Sequence, residues 1–228
     1  MTSVIAIANI AGGTHKTTAA HSLAVATVEY GKKVLLIDLD PRAELTFNVG
    51  FEKSRETIVE MLQGSTFSQS NDITTDERFD FIGTDSRLAS LSDVNSFKSF
   101  LSRVPNQYDV IIVDTSSQVD PRMAMSFSTA DAIVVPSDSS LHSIRGAINT
   151  MKIESSAQRY LLPVDKFSSE HSALFSEAII LDALIPVNGD IDAAIAQKRS
   201  VLSADKNCDF AQAYREAAYS LLEHLKFF

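Results

Sequence analysis

Residues 4–18, VIAIANIAGGTHKTT, limit what this chain can fold into more tightly than any other stretch. The β-branched and small apolar residues 4–8 predict a buried strand. Gly12 and Gly13 follow, and Lys16-Thr17-Thr18 opens a segment of helical periodicity. Strand, glycine loop, Lys-Thr, helix is the order of a phosphate-binding loop. Glycines let the backbone curl until its N–H groups face phosphate oxygens. The helix behind them adds unpaired N–H groups and the positive end of its dipole. Lys16 contributes a full charge, and Thr17 a hydroxyl suited to a magnesium ion. Two positions depart from the pattern. His15 stands where the general motif has glycine before the lysine, and Ala11 stands where the tighter variant KGGxGKT has a second lysine.

The rest of the chain alternates strand and helix signals. Residues 16–30 predict a helix with Leu23, Ala24 and Val28 on one face, closed by Gly31. Residues 34–37 predict a buried strand running into Asp38 and Asp40 and stopped by Pro41. A short helix is expected over 58–62, a polar loop over 64–75, a strand over 79–83 and a helix over 93–103 after Ser92 and Asp93. YDVIIVD (108–114) is a strand ending in Asp114. A helix over 121–128, a strand over 131–136 and a helix over 140–158 follow. Residues 160–178 give no clear signal beyond LLPV and a polar loop. A last strand falls within 179–186, and 209–226 is a closing helix with Phe210, Ala213, Ala217, Leu221 and Leu225 inward. The pattern predicts an α/β fold, a mainly parallel sheet flanked by helices on both faces, in one domain over 1–228.

Composition narrows the setting. One cysteine, Cys208, excludes an internal disulfide, and a cytoplasmic protein fits. No basic leader precedes the first apolar run, and no apolar stretch is long enough to span a bilayer. The net charge of −9 argues against a chain that is basic all over, while leaving room for a local basic patch. His21, His142, His171 and His224 have no metal-ligand spacing.

In an open parallel sheet, ligands sit at the carboxyl ends of the strands. Three strands here end in chemistry: the glycine loop, Asp38/Asp40, and Asp114. Aspartates at strand ends downstream of a phosphate loop are the usual magnesium half of a nucleotide site.

On these residues the chain resembles the ParA/MinD family of positioning ATPases, nearer the ParA side. The family pattern NQKGGVGKTT is similar to residues 9–18, DxDPQGNLT to DLDPRAELT (38–46), and YDxIIIDTPP to YDVIIVDTSS (108–117). ADxxIxP resembles 130–136, IPRN resembles IPVN (185–188), and GAxxYxxLAxEL resembles 211–223. The resemblance implies a P-loop ATPase using ATP and Mg2+. Gly12, Gly13, Thr14, His15, Lys16, Thr17 and Thr18 would line the triphosphate. Lys16 and Asp40 would be catalytic, with Asp40 placing the attacking water. Thr17, Asp38 and Asp114 would serve the metal, and Pro186 and Asn188 would lie near adenine. The resemblance also implies a homodimer formed on ATP, non-specific DNA binding through basic residues such as Lys198 and Arg199, and an adaptor that stimulates hydrolysis. A cytoplasmic, nucleoid-associated protein positioning a plasmid, chromosome region or protein compartment follows.

Ala11 removes the lysine that crosses the dimer in this family, as in the carboxysome-distribution branch. Arg42, Arg122, Arg145 and Lys152 are candidates to replace its charge, and Lys152 is preferred. An ATP-binding scaffold with little turnover and a metabolic P-loop ligase are the competing readings. The closing LLEHLKFF is too short and too continuous with the last helix to predict a membrane anchor.

Overall fold

The computed structural model describes residues 2–54, 56–66, 73–187 and 191–228. Among them, seven strands form one sheet: β1 (Ser3–Ile7), β2 (Val34–Leu39), β3 (Asp80–Ile82), β4 (Val110–Thr115), β5 (Ala132–Ser137), β6 (Gln158–Pro163) and β7 (Ile179–Ile180). Their spatial order is β3-β2-β4-β1-β5-β6-β7, and every pairing between them is parallel. The helices are α1 (Lys16–Glu29), α2 (Glu44–Val49), α3 (Ile58–Leu62), α4 (Asn95–Leu101) and α5 (Pro121–Phe127). After them come α6 (Leu141–Met151), α7 (Ser169–Ser172), α8 (Ile191–Ala196), α9 (Val201–Ala204) and α10 (Asp209–His224).

Both faces of the sheet are covered, which explains the nearly continuous apolar strands. Successive residues point to opposite faces. Ile5, Leu36, Ile112 and Val134 pack with Leu23, Ala24, Tyr214 and Leu221 of α1 and α10. On the other face, Leu35, Ile37 and Ile111 meet Ile58 and Phe97, and Ala6, Ile133 and Leu161 meet Met123 and Ala147. Helix α1 is buried nearly all round rather than along one stripe, because α10 lies against it while the sheet takes the other side. Gly31 closes α1 at φ 77°, the left-handed cap expected of it.

The carboxyl half departs from the sequence pattern. Helix α6 stops at Met151, and strand β6 occupies part of the segment that gave no clear signal. Arg159 is the physical reason. Its guanidinium donates to the carbonyls of Met151, Ile153, Ser155 and Ala157, which satisfies the end of α6 and the turn after it. Strand β7 is only two residues long, extended by a parallel bridge between Val164 and Ile185. No helix among the described residues is long and apolar enough to cross a membrane.

Candidate functional site

The loop between β1 and α1 is built from its own backbone and from α6. Asn9 is fully buried, donates from Nδ2 to the Pro136 carbonyl at 2.9 Å, and accepts the Ala11 N–H at 2.9 Å. The Ile10 N–H donates to Thr150 Oγ1 at 3.0 Å. Gly146 of α6 packs so closely on Asn9 and Ala11 that a Cβ there would lie 2.5 Å from the Ala11 Cβ. Gly12 and Gly13 are exposed beyond this clamp. Helix α1 then opens with no capping side chain, so its first N–H groups face the loop.

Lys16 is buried and folds back over the loop. Its Nζ donates to the Ala11 carbonyl and to Ser117 Oγ, each at 3.0 Å. Burial lowers its pKa; Asp114 opposes this, and the Arg42 charge adds to it. Asp114 faces Asp38 across the β4/β2 register. Both Asp114 carboxylate oxygens are buried without a well-formed hydrogen bond. Burial first, then the charge of Asp38, raises its pKa well above the carboxylate range, and the neighbouring Thr17 hydroxyl offsets only part of this. An orphaned buried carboxylate beside a threonine hydroxyl and an ammonium fits a divalent cation. Among the described residues no cluster of three or more His, Cys, Asp or Glu could hold a metal by itself, so such an ion would also need phosphate oxygens.

Asp38 accepts three hydrogen bonds from the segment after β2. Its Oδ2 accepts from the Thr46 N–H at 2.9 Å and from Thr46 Oγ1 at 2.7 Å, and its Oδ1 accepts the Asp40 N–H at 3.0 Å. Burial still raises its pKa to about 6 against these bonds. Asp40 is buried and held by Arg42. Of the cations considered for the charge missing at Ala11, Arg42 is paired with Asp40 and Arg122 with Asp120. Arg145 and Lys152 are exposed on α6 and at its end, and neither has an ion pair among the described residues. Lys152 follows the last residue of α6 and lines a groove with Ile148, Leu174, Phe175 and Glu177.

Pro186 is half-buried in a groove of about 630 Å³ with Asp165, Lys166 and Asp209 at the carboxyl side of β6. Asn188 lies outside the described residues. Lys198 is taken by Glu52 at 2.8 Å and sits over the Phe47 ring, and Arg215 pairs with Glu29; Arg199 stays exposed. Ser117, Thr46 and Gly146 were not singled out in the sequence. Ser117 had a signal, lying three residues past Asp114 at the same strand end.

Two non-glycine residues adopt left-handed backbone at this site. His15 has φ 62° and Ala43 φ 55°, both where the family pattern has glycine. Such a conformation costs an L-residue about 1–2 kcal/mol, partly offset by glycine's extra freedom in the unfolded chain. The double variant His15→Gly/Ala43→Gly is expected to melt a few degrees higher without nucleotide, on the order of 1 kcal/mol. A lower melting temperature in calorimetry would refute the strain account.

A seven-strand parallel sheet with a lysine-bearing glycine loop after its first strand belongs to the P-loop class of nucleotide-binding proteins. A family model described as an AAA domain matches residues 2–161. The chain belongs to that family, on its ParA/MinD side. It is 28% identical over 159 residues to the maintenance of carboxysome distribution protein A of Synechococcus elongatus, covering 65% of this chain and 63% of that protein. The match thus spans less than two thirds of that relative's length. It is 24% identical over 250 aligned positions to the chromosome partitioning protein ParA of Caulobacter vibrioides, covering 96% and 93%. In fold it resembles the septum site-determining protein MinD of Pyrococcus horikoshii complexed with Mg-ADP, with a TM-score of 0.81 at 21% identity over 100% and 98% of the two chains.

Proposed function

We propose that this chain is an ATPase that binds ATP with Mg2+, dimerises on it, and in that state positions an intracellular cargo. The observation that carries the reading is Asp114. Two orphaned carboxylate oxygens beside Thr17, with the Lys16 ammonium nearby, are what a magnesium–triphosphate site needs and what an empty structural core avoids. Bound magnesium would neutralise phosphate charge. Thr17 and Asp114 would hold it, and Lys16 would leave Ala11 and Ser117 to meet the phosphates. The Gly12–Thr18 backbone would line them, including His15. Asp38 we assign to fixing α2 through Thr46 rather than to the ion itself. Asp40 would place the attacking water. Pro186 would flank the base.

Val119 and Leu141 support a dimer through this edge. They are 68% and 64% exposed, in segments that leave the carboxyl ends of β4 and β5 on either side of the loop. Lys152, exposed and without an ion pair among the described residues, is the cation we assign to the partner's phosphates. DNA binding would rest on Arg199 and its neighbours rather than on Lys198, which is spent on Glu52. The likeness to carboxysome and chromosome positioning proteins supports a cargo of that kind and an adaptor that stimulates turnover.

Light scattering with a non-hydrolysable ATP analogue should give a dimer, and phosphate release should fall by about 10²-fold or more in Asp40→Ala. The Arg42 grip on Asp40 favours a second reading, a slow or silent ATP switch. Tight ATP binding with no phosphate release above the Asp40→Ala background would select it.

A further inference from the structure

Asp40 is held by an arginine two residues further along, and one arm of that arginine is left over. The Asp40 side chain is 4% exposed and that of Arg42 59%. Arg42 Nε and Nη2 donate to Asp40 Oδ2 at 3.1 and 2.8 Å, and the Arg42 N–H donates to Oδ1 at 3.0 Å. Nη1 makes no hydrogen bond among the described residues. The fork is fixed at one end and open at the other.

Its place in the fold brings that arginine to the phosphate-loop side of the sheet. Leu39 pairs in register with Thr115, and Ser117, two residues past Thr115, carries the Lys16 ammonium. Asp40, Pro41 and Arg42 therefore leave the sheet next to the segment that holds Lys16. After burial and Asp114, the Arg42 charge is the next influence on the Lys16 pKa, and Asp114 acts in turn on Arg42 after Asp40 and Glu44. A permanent cation already oriented by a buried carboxylate needs little rearrangement to meet an anion.

We infer that Arg42, oriented by Asp40, presents Nη1 to the terminal phosphate of ATP bound in its own subunit and makes the chain prefer ATP to ADP. This rests on the nucleotide reading above. It is separate from the question of which cation crosses between subunits. ADP lacks the phosphate concerned, so the ratio of the two affinities is the readout. A merely structural arginine would weaken both nucleotides alike.

The test is equilibrium titration of the full chain, with magnesium, using fluorescent forms of a non-hydrolysable ATP analogue and of ADP. Arg42→Gln can still hydrogen-bond Asp40 but carries no charge. It should weaken the ATP analogue about tenfold and leave ADP within about twofold. Arg42→Lys keeps the charge without the fork and should retain part of the preference. Equal loss for both nucleotides, or an unchanged ratio, in Arg42→Gln overturns the inference and leaves the nucleotide site standing. A wild-type chain that binds neither nucleotide overturns both.

Discussion

Asp114→Asn should make the nucleotide-free protein more stable and its magnesium–ATP chemistry at least about 10²-fold weaker. The two effects have one cause. Asp114 is buried next to Asp38 with no well-formed hydrogen bond to either oxygen, and the Thr17 hydroxyl offsets this only in part, so its charge is disfavoured until a cation arrives. An amide of the same shape removes that charge and also removes the ligand. A gain on the order of 1–3 kcal/mol is expected, a few degrees in melting temperature for a chain of this size. Magnesium and ATP, which should raise the melting temperature of the wild type, should then do so far less. If the variant melts lower in the absence of nucleotide, the carboxylate has a protein partner and the site has been misjudged.

The same physics gives the wild type a pH profile. The folded-state pKa of Asp38 is about 6 against an ordinary 3.8, and that of Asp114 is also raised, in both cases chiefly by burial. Between those values the folded chain holds protons that the unfolded chain has released. The stability contributed by Asp38 is therefore fully present below about pH 4 and is lost as pH rises through about 6, and Asp114 acts in the same direction. Thermal melts in chelator should be higher at pH 5 than at pH 7.5. Magnesium–ATP should flatten the difference, and Asp114→Asn should shrink it by removing one of the two groups.

How much of this could be seen in the sequence depends on what kind of interaction does the placing. The loop, the strand ends and the strand–helix alternation were legible, because glycines, Lys-Thr and apolar runs act locally. Strands β1, β2, β4 and β5 fall where the apolar runs predict them. Strand β6 was hidden, since its boundary is set by one arginine reaching back over four carbonyls, a contact with no local signature. Helix α1 looked one-sided, because nothing nearby in sequence announces that α10 will cover its outer face. At the site, the residue types at the strand ends could be read, but nothing local announced their pairings. Asp38 turns to Thr46 and Asp40 to Arg42, and both choices follow from short loops folding back on strand ends. Electrostatic neighbours, unlike strand ends, are decided in three dimensions.

Gly146 is the position where the fold and the loop depend on each other most directly, and Gly146→Ala should damage both. A Cβ there would lie 2.3 Å from Asn9 Oδ1, 2.5 Å from the Ala11 Cβ and 2.8 Å from the Ala11 backbone N. Two of those atoms have no rotamer to move, so either α6 or the loop must shift. The gain in helix propensity, up to about 1 kcal/mol, opposes an overpacking penalty of about 1–3 kcal/mol or more. The net change should be a loss of stability. The larger effect should be on the site, because Asn9 positions the Ala11 N–H and the Ala11 carbonyl carries Lys16. Nucleotide affinity should fall by at least about tenfold, since misplacing a positioning loop by a fraction of an ångström weakens every phosphate contact behind it. Ala11→Gly in the same chain removes one of the three clashes and should restore part of the affinity, a coupling that a double-mutant cycle would measure. An additive cycle would mean that α6 yields without moving the loop. The small residue at position 11 would then answer only to the missing charge. A coupled one would mean that Ala11 is also a packing residue, fitted to the helix that carries Arg145 and Lys152.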